Sequence, residues 1–237
     1  MPSIAVIIPC YNEAARLPQQ LLLQWVNEQP NVFLFFVNDG STDNTFQILD
    51  ELKIAAPDKI TIITLPRNKG KGEAVRQGMQ SAVQQPFQFV GYLDADLSTD
   101  TKEYFRLYQL AIEQDADMVF GSRIKKLGSN IERSPFRHFA GRIIATIIDH
   151  QYNLGCYDTQ CGAKIFKPEI ISSAILSPFY TKWFFDVELF LRIKKSSATI
   201  NAMEVPLTEW RDKKNSKINF TSIPEITREL FLLLQNY

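Results

Sequence analysis

Asp94 and Asp96 stand one residue apart, directly after the apolar run 89–93. At a strand end, where the backbone tightens into a turn, such a pair can aim two carboxylates at one point. A hard divalent cation such as Mg²⁺ asks for little more, because it takes one or two protein carboxylates and fills its other positions with substrate phosphate and water. Asp94 and Asp96, with Ala95 between them, are therefore the candidate metal ligands. A solvated turn is the competing explanation of the same pattern.

Other clusters carry complementary chemistry. Asp39, in Asn38-Asp39-Gly40-Ser41-Thr42, can accept the imino proton of a uracil or the hydroxyls of a ribose, while Asp43 or Thr42 caps the helix that follows. Gly70-Lys71-Gly72 permits close approach to a phosphate. It lacks a Walker pattern, and Val75 occupies the place of the third glycine of a dinucleotide fingerprint. Arg67 and Lys71 remain as contacts to a base or to phosphates. Asp158, Asp186 and Glu188 are further acids, the last two set among Trp183, Phe184, Phe185 and Leu189. Acids in an apolar stretch need partners, so they either grip sugar hydroxyls or form structural ion pairs.

Between residues 123 and 142, Arg123, Lys125, Lys126, Arg133, Arg137 and Arg142 face the single acid Glu132. This cationic loop suits a phosphate-bearing acceptor, held by charge-assisted hydrogen bonds; a solvated surface is the plainer reading. Arg211, Lys213, Lys214 and Lys217, with Ser216, form a second basic cluster suited to a diphosphate. His138 and His150 are the only imidazoles, which argues against a Ser-His-Asp triad or a His-rich metal site.

These clusters need a frame. Apolar runs at residues 4–8, 32–37, 60–65 and 89–93 are short and rich in Val, Ile and Phe, as buried parallel strands are. Helical spacing at 13–29, 44–56 and 72–84 lies between them, then a helix at 101–114, a fifth strand at 117–120 and helical spacing from Phe139 to Ile148. Strand and helix in alternation predict an α/β fold whose mostly parallel sheet carries helices on both faces. Ligands of such sheets bind at the carboxyl ends of the strands, which is where Pro9-Cys10-Tyr11-Asn12-Glu13, the Asp39 turn, Arg67 to Gly72, and Asp94 to Asp96 all fall.

With 237 residues, 45% hydrophobic and 22% charged, the chain has the composition of an ordinary globular protein. Lys+Arg and Asp+Glu both total 26, so no global basic excess points to nucleic acid. Three cysteines, Cys10, Cys156 and Cys161, favour buried thiols in a reducing compartment over a disulfide framework. The N-terminal apolar run is cut by Pro9 and lacks a basic leader, so it reads as a first strand and not a signal peptide. No window approaches the ~18 consecutive apolar residues that a membrane span requires.

Together the motifs Ile8-Pro9-Cys10-Tyr11-Asn12-Glu13, Asn38 to Thr42, Arg67 to Gly72, Asp94-Ala95-Asp96, Gly121-Ser122-Arg123, Asp158-Thr159-Gln160-Cys161-Gly162 and Phe185-Asp186-Val187-Glu188 span most of the chain. The chain resembles a family 2 glycosyltransferase of the GT-A type, a Rossmann-like nucleotide-diphospho-sugar transferase fold. Within that group it is similar to dolichyl-phosphate β-glucosyltransferases and bacterial polyprenyl-phosphate glycosyltransferases. The resemblance implies one domain over residues 1–237: a nucleotide-sugar-binding half (1–122), an acceptor-binding half (123–220) and a C-terminal amphipathic helix (221–237). It implies that Pro9, Tyr11 and Glu13 line a nucleoside pocket, that Asp39 reads uracil, and that Arg67 and Lys71 support base and phosphates. Asp94, Ala95 and Asp96 then meet the ribose and the metal, with Asp96 also in a catalytic role. Arg123, Arg133 and Arg137 receive a lipid phosphate. Asp158, Asp186 and Glu188 close over the sugar, and Arg211, Ser216 and Lys217 lie near the diphosphate. Ser98 stands where mannosyltransferases of the group tend to place Gln, which turns the expectation toward glucose.

The reaction so implied is in-line attack by a polyprenyl phosphate on the anomeric carbon of a UDP-sugar, with inversion. A phosphate monoester is largely dianionic at neutral pH and needs no strong general base, in keeping with the shortage of histidine. Mg²⁺ or Mn²⁺ and Lys/Arg would absorb charge on the departing diphosphate. A saccharide hydroxyl acceptor is the alternative and would need a base, Asp186 or Glu188. A nucleotidyltransferase and a nucleotide-sugar-binding protein without turnover are further alternatives. The resemblance also implies a cytoplasmic protein lying peripherally on the membrane face, and leaves room for a membrane-anchored partner protein. Apolar residues of the C-terminal helix serve either that membrane contact or core packing.

Overall fold

A computed structural model of the chain describes residues 1–132, 135–196, 199–211 and 223–237. Alternation along the first strand shows how the layers form. In β1 (Ile4–Cys10), Ile4, Val6 and Ile8 join one apolar cluster and Ala5 and Ile7 another, all of them buried. Such a strand is covered on both faces, as a parallel strand between helical layers must be. The first cluster takes in α1 (Gln19–Glu28), α2 (Thr45–Ala55) and α4 (Thr101–Glu113) through Leu22, Trp25, Leu49, Leu52, Tyr104 and Leu107. The second takes in α3 (Lys71–Ala82) and α7 (Phe185–Ser196) through Val75, Met79, Leu189 and Phe190.

The main sheet has seven strands in the order β3-β2-β1-β4-β7-β5-β8. They are β2 (Val32–Asn38), β3 (Ile60–Thr64), β4 (Phe89–Leu93), β5 (Met118–Ser122), β7 (Ala163–Phe166) and β8 (Ala202–Pro206), besides β1. All neighbours are parallel except β7, which runs antiparallel between β4 and β5. The chain builds outward from β1 to β3 and returns to β4 on the other side of β1, so the topological switch point lies between β1 and β4. Short β6 (Asn130–Glu132) and β9 (Glu209–Arg211) pair separately. Because β7 inserts between two strands of the 1–122 segment, the boundary at residue 122 is not a boundary of the sheet.

Around the second half, α5 (Pro135–Tyr152) and α8 (Ile223–Asn236) pack with α7 through Ile148, Val187, Leu191 and Leu233, while α6 (Pro168–Ile171) follows β7. Among the described residues no helix is long and apolar enough to cross a membrane.

The observed elements differ from the spacing-based ones in instructive places. The first helix begins at Gln19 and not at residue 13. Asn12 is left-handed (φ 54°), and the amides of Asn12, Glu13 and Ala14 donate to side chains of Ser41, Thr45 and Asp43. Arg16 N–H and Leu17 N–H close one turn on Glu13 O, but Pro18 has no N–H with which to continue it, and the helix proper starts after Pro18. β5 runs through Gly121 and Ser122, where 117–120 was expected. The antiparallel β7, with only four residues, has no counterpart among the spacing-based elements.

Candidate active site

Each of the four strand-end turns contains one residue in the left-handed region: Asn12 after β1, Gly40 after β2, Gly70 after β3 and Leu97 after β4. Such conformations persist only where surrounding contacts over-determine them, and they cluster at functional sites. At Gly40 the need is steric as well, since a Cβ there would overlap the backbone of Arg67 and Asn68. The turns are stitched together: Thr42 N–H donates to Asn12 Oδ1 (2.9 Å), and Asp39 N–H donates to Cys10 O (2.8 Å).

Between them lies a cavity of about 320 Å³. Pro9, Tyr11, Glu13, Asp39, Lys71, Asp94, Ala95 and Asp96 all line it, joined by Cys10, Asn68, Gly70 and Ala74. Arg67 is exposed, and its neighbour Asn68 takes the place at the wall that the motif suggested for Arg67. Asp39 and Asp43 divide the labour of their turn. Asp43 accepts from the Thr45 amide (3.0 Å) and hydroxyl (2.5 Å) at the start of α2. Asp39 is buried, and its two oxygens accept from Lys69 N–H (2.7 Å) and Gly70 N–H (2.8 Å), which fixes the Gly70 turn against β2. Burial pushes its carboxyl above the ordinary value, and the two amide bonds offset that only in part.

Asp94 and Asp96 occupy a tight turn in which Leu97 N–H donates to Asp94 O (3.0 Å) and Ser98 N–H to Asp96 Oδ1 (2.9 Å). Lys71 Nζ pairs with Asp94 Oδ1 at 2.5 Å. Desolvation opposes the charge on Lys71, but Asp94, Asp186 and Asp96 outweigh it and raise its pKa, so it is a fixed ammonium. Two carboxylates facing one cavity, with an ammonium beside them, suit a hard divalent ion whose remaining ligands are phosphate oxygens and water. Among the described residues no group of three His, Cys, Asp or Glu side chains is placed to hold an ion.

Beneath this turn is a polar network that composition alone did not reveal. Lys164, fully buried on β7, donates to Tyr92 Oη (2.8 Å), Cys161 O (2.6 Å) and Asp186 Oδ1 (2.8 Å), and Tyr92 Oη–H donates to Asp186. Burial pulls Lys164 down to about 7 and pushes Asp186 up to about 7. Asp186 thus serves as the partner of a buried lysine, and the charge on Lys71 works to lower its pKa. Glu188 is fully buried and accepts from the Tyr180 and Thr181 amides, the Thr181 hydroxyl, Arg192 and Tyr237. For Glu188 the structural ion pair, and not sugar contact, is what the geometry supports. Lys164 could have been suspected only from its place between Ala163 and Ile165.

On the far side, Arg123 and Asp158 form a bidentate pair, Nε to Oδ2 at 2.7 Å and Nη2 to Oδ1 at 2.8 Å, with the guanidinium 5.4 Å from the Trp210 ring. Desolvation opposes the Arg123 charge, and Asp158 more than restores it. Asp158 is thereby committed to holding Arg123. Lys125 and Lys126 are exposed, and Arg142 donates to Tyr157 O (2.7 Å) with its guanidinium over the Tyr157 ring. Arg211 is exposed on β9, and its N–H donates to Ser98 O (3.2 Å), which brings it beside the Asp96 turn. Arg133, Ser216 and Lys217, and the side chain of Arg137, lie outside the described residues.

The site is therefore an acid-lined cavity at the switch point of a doubly wound α/β sheet, flanked by a fixed ammonium. The fold matches glucosyl-3-phosphoglycerate synthase from Mycobacterium tuberculosis, solved with Mn²⁺ and UDP-glucose, with a TM-score of 0.70 and 15% identity over 98% of this chain and 78% of that one. The Glycosyl transferase family 2 model matches residues 5–173. The chain is 31% identical to dolichyl-phosphate beta-glucosyltransferase of Drosophila melanogaster over 99% of its own length and 75% of the relative's. It is 28% identical to polyprenol monophosphomannose synthase of Mycolicibacterium smegmatis over 93% and 82%. The chain belongs to glycosyl transferase family 2 and is an enzyme of the hexosyltransferase class.

Proposed function

We propose that the enzyme moves a hexose, glucose in preference, from a UDP-sugar to a polyprenyl phosphate with inversion at the anomeric carbon. The observation that carries this reading is the convergence of Asp39, Lys71, Asp94 and Asp96 on one cavity at the switch point. The names of the two relatives, a dolichyl-phosphate glucosyltransferase and a polyprenol monophosphomannose synthase, support the acceptor class. Tyr11, Glu13 and Asp39 bind the nucleoside. Asp94 and Asp96 would hold Mg²⁺ or Mn²⁺, which would supply positive charge to the leaving diphosphate. Lys71 contributes a second cation, while Arg211 approaches the diphosphate from β9. Arg123, oriented by Asp158, orders the acceptor side of the site, with Arg133 and Arg137 as further phosphate contacts.

A hydroxyl acceptor fits less well. Its base would be Asp186 or Glu188, and the first is bonded to Lys164 and Tyr92 while the second accepts from five donors. Phosphate needs no such base. The exposed Lys125-Lys126-Leu127 tip, with exposed Ile143 and Ile147 on α5, supports peripheral contact with a membrane surface on its cytoplasmic side. Nothing favours a membrane-anchored partner protein.

A panel of UDP- and GDP-sugars, offered with a short polyprenyl phosphate in the presence and absence of Mn²⁺, tests the proposal. Lipid-linked hexose from a UDP-sugar, dependent on metal, is the expected product. Transfer from GDP-sugars alone, or to saccharide hydroxyls alone, would refute it.

A further inference from the structure

The five successive amides of residues 180–184 all donate to two carboxylates. Glu188 takes Tyr180 N–H (3.0 Å) and Thr181 N–H (3.0 Å). Glu229, which belongs to α8, takes Lys182 N–H (3.1 Å), Trp183 N–H (2.6 Å) and Phe184 N–H (3.4 Å) on a single oxygen. Both acids are buried, at 0% and 6% exposure. The amides precede the first turn of α7, where no carbonyl of that helix can reach them, and a carboxylate there also meets the positive end of the helix dipole. The C-terminal helix therefore fixes, from more than forty residues away, the three residues that lead into α7.

This segment packs against the turn at residues 70–72 that lines the cavity. The Lys182 side chain lies across Gly70, 3.8 Å from where a Cβ would be, and Phe185 fills the space beside Gly72. Gly70 is the residue whose amide Asp39 holds, and Lys71 between the two glycines pairs with Asp94. On its other side, Trp183 O accepts from Gln160 Nε2 (3.3 Å), and Gln160 N–H donates to Asp158, the partner of Arg123. One short segment thus touches the donor turn and the acceptor-side loop at once.

We propose that α8 is a working part of the transferase site, with Glu229 as the positioning residue that holds residues 182–184 between the Gly70 turn and Gln160. The proposal rests on the reaction proposed above. It also separates from a purely structural role for α8, which is to bury Leu233 and Leu230 against α5 and α7. Loss of the Glu229 carboxylate releases three amides of the segment that packs on the Gly70 turn, whereas trimming Leu233 loosens the helix without touching them.

The experiment compares Glu229→Ala, Glu229→Gln and Leu233→Ala in the full chain, well below their melting temperatures. Activity is read with the lipid phosphate assay and the segment by tryptophan emission, since Trp183 adjoins the bonds that break. Glu229→Ala is expected to lose about tenfold or more in kcat/KM, the order expected for lost bonds to a buried charge, with emission shifted to the red. Glu229→Gln keeps an oxygen acceptor and should retain more activity than Glu229→Ala. Leu233→Ala should keep near wild-type kcat/KM even where its melting temperature falls as far. If Glu229→Ala does not accumulate as folded protein, the comparison of Glu229→Gln with Leu233→Ala decides. Equal losses for Glu229 and Leu233 variants of equal stability, or unchanged kcat/KM in the Glu229 variants, would overturn the proposal. A wild-type chain that transfers no sugar overturns the underlying reaction, and is seen before any variant is made.

Discussion

Gly162 faces the Asp94 carboxylate so closely that a Cβ on Gly162 would overlap its oxygens, and Asp94 N–H donates to Gly162 O at 3.1 Å. The residue that precedes the antiparallel strand β7 therefore forms the back of the turn proposed to hold the metal. Gly162→Ala should displace Asp94, because backbone on both sides leaves the carboxylate as the part that yields. We expect Mn²⁺ affinity, read by calorimetry with UDP present, to fall about tenfold while the melting temperature changes little. Mn²⁺ binding at wild-type strength would show that Asp94 is not a ligand.

Lys71 sits 2.5 Å from Asp94 and is held charged by three carboxylates. Lys71→Met removes the ammonium that the proposed mechanism sets against the diphosphate, so KM for the UDP-sugar should rise about tenfold, the value of one charge-assisted contact. Uridine alone, which has no phosphate, should bind both proteins equally. A matching loss for uridine would assign Lys71 to the base instead.

Lys164 and Asp186 make an ion pair at 2.8 Å in a fully buried site. Breaking such a pair on one side leaves the other group buried without its partner and costs about 3–5 kcal/mol, whereas replacing both partners with apolar groups can be close to neutral. Lys164→Met and Asp186→Leu should each lower the urea midpoint sharply, and the double variant should recover much of the loss. Additive losses in the double-mutant cycle would mean that the two side chains do not act as a pair.

Glu103 links α4 to the connection between β8 and β9, accepting from Arg106 and from the amide and hydroxyl of Thr208. Burial works to raise its pKa, and these bonds more than offset it, leaving the value below the ordinary 4.5. A carboxyl depressed in the folded state binds its proton more readily when unfolded. Its stabilisation is full above pH 4.5 and lost as pH falls through the folded value. Glu103→Gln should therefore be less stable than wild type at pH 7, with the gap narrowing below pH 4.5 in urea titrations. A gap independent of pH would exclude ionisation as its cause.

Much of this site was legible before any coordinates. Short continuous apolar runs that end in polar turns locate the carboxyl ends of β1 to β4, and with them Tyr11, Asp39, Lys71, Asp94 and Asp96. Local sequence suffices there because a parallel strand buried on both faces must be continuously apolar, and its end is marked by the first residues that cannot be buried. The short β7 carried no such mark. Its four residues, Ala163–Phe166, include a lysine, and their strand state depends on the slot between β4 and β5.

Sequence by itself thus determined the α/β layering, the strand-end site and the identities of the acids and bases that compose it. What only the tertiary structure decided is how those charges are shared. Asp158 belongs to Arg123, Asp186 to Lys164 and Glu188 to the turn before α7, while Glu229, unremarked in the linear pattern, caps that turn from the last helix. The physical reason is that a carboxylate's role is set by which donors surround it after burial. Partners that lie 22, 35 or 46 residues away are brought together by packing, and no local spacing records them.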